Sequence, residues 1–177
     1  MNEPFVQQRH RLLTPLDRPR ELIVACAPMR SNVNLSRIVR TAGCCGVTRV
    51  ICCGSVRVID KIARDSVADD ASGDDGPLGV ELRVHRTLAP VLAELKRDGY
   101  RLVGLEQTTG SQNLHSYMFP RRTVLVVGNE RHGIDPDVLR LLDDVLEIPV
   151  WGRPHAYNAA TATAMALYEY CRQYPKG

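Results

Sequence analysis

Three stretches of this chain concentrate side chains that could hold or stabilise a reacting group. In SNVNLSRIVRTAGCCGV (31–47), Asn34 stands at the start of a helical pattern, and Arg37 and Arg40, three residues apart, become neighbours on the helix surface. Two guanidiniums placed this way can grip a phosphate through forked N–H donors. In VVGNERHGI (126–134) a strand-like run meets Gly128, and the carboxylate of Glu130 is held in a turn bounded by Gly133. Glycines there let a ligand approach the backbone closely. In IPVWGRPHAYNAATATAMALYEY (148–170) a turn of aromatic, proline and glycine residues leads through Asn158 into a helix of small Ala and Thr residues, which can pack unusually close. Each stretch also has an ordinary structural use. Asn34 could be a helix N-cap, both arginines exposed helix residues, Glu130 a solvated loop acid, and the Ala/Thr helix a densely packed core element.

The elements around these stretches alternate. ELIVACA (21–27) is an apolar run of strand length, and from Asn34 the residues Leu35, Ile38, Val39 and Ala42 recur at helical spacing, with Gly43 or Gly46 placed to end the helix. TRVICCG (48–54) reads as a second strand, VELRVH (80–85) as a third, and TLAPVLAELKRDG (87–99) as a helix closed by glycine. YRLVGLE (100–106) and TVLVVG (123–128) are the nearly continuous apolar strands of a parallel sheet buried on both faces. VLEIPV (145–150) supplies a last strand and Tyr157 to Cys171 a last helix, while SVADDASGDDGPLG (66–79) reads as a surface loop. Strands alternating with helices predict an α/β domain, and in such sheets ligands sit beyond the carboxyl ends of strands. The three stretches follow strands, so they belong to that edge. None carries GxGxxG or GxxxxGK[ST], which leaves a Rossmann dinucleotide site and a P-loop without support.

A length of 177 residues fits one domain with a sizeable core, and 44% hydrophobic with 24% charged residues is ordinary globular composition. No apolar run approaches the eighteen or so residues of a membrane span, and the first twenty residues lack a secretory signal, so the expectation is a cytoplasmic protein. The six cysteines include the adjacent pairs Cys44-Cys45 and Cys52-Cys53, a pattern of reduced, buried thiols. Without CxxC or Cys/His pairing at finger spacing, no metal is expected. The net charge of +3 is too small to establish a nucleic-acid partner. Its distribution is more informative: Arg9, His10, Arg11, Arg18, Arg20, Arg30, Arg37 and Arg40 crowd the first forty residues, while Asp69, Asp70, Asp74 and Asp75 form an acidic patch. The basic part is the candidate phosphate-facing surface.

In order and separation the three stretches resemble the three motifs of the SPOUT-class SpoU/TrmH RNA methyltransferases. Asn34 through Arg40 with Thr41-Ala42 resembles the first motif, and Gly128-Asn129-Glu130 through Gly133 the second. Ile148-Pro149 through Asn158 and Glu169 resembles the third. The resemblance spans about residues 21 to 173, which divides the chain into a basic lead at 1–20 and a catalytic domain at 21–177. GYRLVGLEQT (99–108) and FPRRTVLVVGNERHGI (119–134) are especially similar to the catalytic domain of tRNA guanosine 2′-O-methyltransferases of eukaryotic type, which modify a D-loop guanosine.

What the resemblance implies is a mostly parallel α/β sheet with helices on both faces and a C-terminal deep trefoil knot, an exception to the rule against knotted chains. It implies S-adenosylmethionine as cofactor, held in a bent shape at Leu105, Gln107, Gly128, Asn129, Ile148, Val150 and Tyr157. It also implies a homodimer whose sites draw on both chains, acting on structured RNA, tRNA before rRNA and not DNA, with no metal. Arg40 matches the catalytic arginine, with Asn34, Glu130 and Asn158 as its companions. A guanidinium gives up its proton too reluctantly to be a good base, so the expected role of Arg40 is to hold the substrate phosphate and stabilise a developing alkoxide. One departure stands out: the usual Ser-Leu-Asn of the third motif is Ala156-Tyr157-Asn158 here, which removes a hydroxyl that His155 or Thr161 could replace. Three alternatives remain open: an rRNA substrate, a catalytically silent RNA-binding dimer, and an ordinary doubly wound nucleotide-binding protein.

Overall fold

The computed structural model describes residues 5–7, 12–54 and 79–177. Arg9, His10, Arg11 and residues 66–78 of the expected acidic loop lie outside them. In chain order the elements are β1 (Leu22–Cys26), α1 (Asn32–Cys44), β2 (Arg49–Cys53), β3 (Glu81–His85), α2 (Leu88–Arg97) and β4 (Arg101–Leu105). They continue with β5 (Gln112–Asn113), β6 (Thr123–Val127), α3 (Pro136–Leu139), β7 (Asp144–Glu147) and α4 (Ala159–Gln173).

The seven strands form one sheet in the order β3-β2-β1-β6-β4-β7-β5, and each pairing between these strands is parallel. β1 and β6 are buried at every position, as continuous apolar runs in a doubly covered sheet must be. One face packs Leu22, Val24, Leu125 and Val127 against Ile38 and Val39 of α1 and Leu167 and Tyr170 of α4. The other packs Ile23, Ala25, Val124 and Val126 against Leu92 and Leu95 of α2 and Val138 of α3. Cys26, Val127 and Leu105 pair in register, and Leu105 pairs with Leu146 of β7. Four central strands therefore end level, and the loops that follow them emerge side by side.

Local chemistry explains the helix ends. Ser31 caps α1 by accepting a hydrogen bond from the Asn34 N–H at 3.2 Å, so the cap is Ser31 and not Asn34. Helix α1 carries through Gly43, and the stop is Gly46, whose φ of +68° suits a residue without Cβ. Strand β7 ends at Glu147 and not Val150, because Pro149 has no N–H to continue a ladder. β5 and α3, of two and four residues, are too short to leave a periodic signal.

Two expectations about single residues are corrected. Arg20 does not belong to an exposed basic surface: it is 8% exposed, donates to the Tyr174 carbonyl and lies 6.0 Å from the Tyr170 ring centre. The cysteines are all free, with Cys26, Cys52 and Cys53 buried, but Cys44 is exposed. Burial pushes the Cys26 thiol well above its ordinary value, helped by its neighbours Cys52 and Cys53. Among the described residues no helix is long and apolar enough to cross a membrane.

Candidate active site

The level strand ends place the loops after β1, β4, β6 and β7 around one cleft of about 370 Å³, a volume suited to a small molecule. Two glycines let the second loop fold back on itself. A Cβ on Gly128 would stand 2.4 Å from the Gly133 carbonyl carbon, and one on Gly133, at φ +68°, would stand 2.3 Å from Glu106 Oε2. Asn129 and Gly133 exchange both backbone hydrogen bonds, at 2.8 and 2.9 Å, closing the turn that carries Glu130. Asn129 fastens this turn outward as well, its Nδ2 donating to the Pro28 carbonyl at 2.6 Å and its Oδ1 accepting from the Arg131 N–H at 2.9 Å.

Glu130 then reaches the N-terminus of α1. Its carboxylate accepts from the Arg30 N–H at 2.9 Å, the Ser31 N–H at 3.0 Å and Asn34 Nδ2 at 3.0 Å. Partial desolvation raises its pKa, but hydrogen bonds from backbone N–H groups and Asn34 outweigh that and hold it below the usual range. A carboxylate at a helix N-terminus is also where the helix dipole favours negative charge. Asn34 Oδ1 in turn accepts from Asn158 Nδ2 at 3.2 Å, and Asn158 Oδ1 caps α4 by accepting from the Ala160 N–H at 2.9 Å and the Thr161 N–H at 3.4 Å. Asn158, Asn34 and Glu130, from three separate stretches of sequence, thus form one directional chain of hydrogen bonds.

Of the expected cofactor positions, Leu105, Gln107, Gly128, Asn129, Ile148 and Tyr157 line the cleft together with Asn34, Glu130 and Asn158. Val150 does not line it. Arg40 is likewise outside the lining, exposed on α1 with Arg37. Six residues beyond Asn34, it is displaced along the helix by about 9 Å and turned to another side. Ala156 lines the cleft without a hydroxyl. His155 does not line the cleft and meets it through its carbonyl, which accepts from Gln107 Nε2 at 3.3 Å. Thr161 offers its backbone N–H to Asn158. Glu169, part of the third motif, bonds within its own helix to Arg172 at 2.7 Å and Gln173 at 2.8 Å.

Two acids in the lining escaped sequence reasoning. Glu106 follows β4 and accepts from the Gln107 N–H at 3.0 Å and the Ile134 N–H at 3.1 Å, bracing the second loop from below. Glu147 closes β7 and accepts from Ser111 Oγ at 2.7 Å. Glu106 ends the run YRLVGLE, which was its one sequence signal, whereas Glu147 lies inside the run VLEIPV and had none. No group of three or more His, Cys, Asp or Glu that could hold a metal ion occurs among the described residues.

The chain matches the model of the SpoU rRNA methylase family over residues 21–168. It is 32% identical over 152 residues to a tRNA (guanosine(18)-2′-O)-methyltransferase of Mus musculus, covering 86% of this chain and 9% of that protein. To the tRNA (guanosine(18)-2′-O)-methyltransferase of Escherichia coli it is 28% identical over 153 residues, covering 86% of this chain and 64% of the other. The chain thus spans less than two thirds of either relative. Among solved structures, the TrmH/SpoU tRNA modifying enzyme of A. aeolicus superposes with a TM-score of 0.72 at 27% identity, covering 89% of this chain and 77% of that one.

Proposed function

This chain belongs to the SpoU rRNA methylase family, and from that membership we propose that it transfers the methyl group of S-adenosylmethionine to a ribose 2′-hydroxyl of tRNA, at a D-loop guanosine. The observation that carries the reading is the Asn158–Asn34–Glu130 chain, which locks all three family motifs around one small-molecule cleft. The relatives' activity on guanosine of tRNA supports the choice of substrate.

The lining suits this cofactor. Leu105, Leu146, Ile148 and Ala162 offer apolar walls for an adenine, and the carboxylates of Glu106, Glu130 and Glu147 make the cleft acidic toward a cation. Bound there, S-adenosylmethionine supplies a methyl group already made electrophilic by its sulfonium. The protein's own task is then to orient the ribose hydroxyl and stabilise charge on its oxygen as the proton leaves. A guanidinium is a poor base and a good fork of donors, so the part of Arg40 is to fork onto the substrate phosphate and to stabilise the alkoxide. Arg40 lies outside the cleft lining of its own chain, which favours its reach to the cleft of a second copy. We read the enzyme as a cytoplasmic homodimer in which Arg40 of one protomer serves the cleft of the other. The neighbouring β4, β6 and β7, with the post-β7 loop returning past the post-β1 loop, support a knotted C-terminal segment.

The deciding experiment is transfer of labelled methyl from S-adenosylmethionine to tRNA and, separately, to rRNA, by wild type and Arg40→Ala. A labelled 2′-O-methylguanosine in tRNA, lost in the variant, is the expected result; label in rRNA alone moves the substrate. Ala156 in the cleft lining favours a second reading, a catalytically silent RNA-binding dimer. Cofactor binding with no label in either RNA would establish it.

A further inference from the structure

Trp151 is the single tryptophan of the chain and stands 82% exposed in the turn between β7 and α4. Its ring is not unsupported. His115, from the loop after β5, stacks on it with ring centres 6.3 Å apart and planes inclined by 30°. Arg153, exposed two residues on, makes no ion pair among the described residues. The same turn is anchored to the cleft, since the His155 carbonyl accepts from Gln107 Nε2 and the next three residues, Ala156, Tyr157 and Asn158, line the cleft wall. A large flat ring is thus stacked on His115 and otherwise exposed, in the turn that leads into the cleft wall, with Arg153 two residues along the chain.

We propose that the Trp151–His115 pair is a stacking platform for an unpaired base of the RNA, next to the nucleotide whose ribose enters the cleft, with Arg153 taking the intervening phosphate. The proposal rests on the reading of the chain as an RNA-modifying enzyme and adds how it selects the strand it modifies. Every base offers a π-face, so aromatic platforms bind single-stranded nucleotides whatever their sequence, whereas paired bases are already stacked. The platform therefore discriminates by strandedness, admitting a loop and rejecting a stem. A second copy of this chain fits the patch less well, because the ring stacks on the polar His115 and its own turn carries exposed Arg153 and His155.

With one tryptophan in the chain, its fluorescence reports the platform directly. Titrating the full chain with unfractionated tRNA is expected to quench most of the emission, while heparin, a polyanion without bases, leaves it nearly unchanged. Trp151→Ala is expected to raise the KM for tRNA about tenfold with kcat and cofactor affinity within about twofold of wild type, and Trp151→Phe to recover most of the loss. Quenching by tRNA in a protein that methylates no RNA supports the platform and overturns only the reaction proposed above. The platform is overturned if tRNA binds by mobility shift without changing the emission, or if Trp151→Ala leaves the KM unchanged. It is equally overturned if the emission shifts on self-association without RNA and tRNA then adds nothing, which assigns Trp151 to a contact between copies.

Discussion

Asn34 has its amide orientation dictated from both sides. Glu130 requires a donor and takes Nδ2, while Asn158, whose Oδ1 is committed to capping α4, has only Nδ2 to offer and therefore requires the Asn34 carbonyl oxygen. The polarity of the whole chain follows from one anion at one end and one helix cap at the other. Asn34→Asp, nearly isosteric, is expected to do more damage than Asn34→Ala, because it sets a second carboxylate against Glu130; cofactor affinity measured by calorimetry should rank wild type, then Ala, then Asp. Asn158→Asp separates the two duties of its residue. It keeps the cap, so thermal stability stays close to wild type, but loses the donor to Asn34, so activity falls; Asn158→Ala loses both, with about 1 kcal/mol of helix stability. Glu130 has a depressed pKa, so its stabilising bonds are fully present above its ordinary value of about 4.3 and disappear as pH falls through the lower folded value. The melting-temperature gap between wild type and Glu130→Gln should hold steady from about pH 6 to 8 and narrow in acid below about pH 4.

Among the elements, the post-β6 turn tolerates the least. The neighbour facing Gly128 is backbone, at 2.4 Å from a hypothetical Cβ, whereas the neighbour facing Gly104 at the same 2.4 Å is the far end of the Leu142 side chain. Gly128→Ala must therefore push the Glu130 turn away from α1, while Gly104→Ala requires only a new Leu142 rotamer. We expect Gly128→Ala to lose cofactor binding by more than about tenfold and Gly104→Ala to retain it, each costing about 1–3 kcal/mol of stability, read by denaturant melts beside calorimetric titration. The same contrast shows what was legible in sequence. Apolar runs such as LIVAC and TVLVV announce buried parallel strands, and Leu35, Ile38, Val39 and Ala42 announce the inner face of α1. Gly128 and Gly133 marked the ligand-facing turn. Glu106 was not legible, because its partner, the Ile134 N–H, is set by how β4 and β6 lie together. Arg20 misled for a related reason: its charge suggested solvent, but the Tyr170 ring and the Tyr174 carbonyl that receive it lie 150 and 154 residues away. The anchoring of β7 was equally hidden. Asp144 accepts from Arg101 Nε at 2.7 Å, Tyr117 Oη at 2.8 Å and Gln112 Nε2 at 3.2 Å, three partners from three segments.

For the whole molecule, the position of Arg40 decides how sites are counted. If Arg40 serves the partner's cleft, then Arg40→Ala and Asn34→Asp damage different halves of each composite site. Mixing the two inactive variants under conditions that exchange protomers should restore about a quarter of wild-type activity, since half the dimers are mixed and each keeps one intact site. No recovery, with exchange verified by mass spectrometry, would place Arg40 in its own protomer's site. The hydrogen bonds that build the cleft join residues 96 and 124 positions apart, Asn34 to Glu130 and Asn34 to Asn158. Bonds of that span form only after long stretches of chain are ordered, which makes them late and slow in folding. A chain still emerging from the ribosome can complete β1 and α1 and yet has no ligand-binding cleft until α4 is capped. Competence to bind thus serves as the molecule's own certificate of completion: a truncated chain lacks the cleft and with it any place for a small molecule.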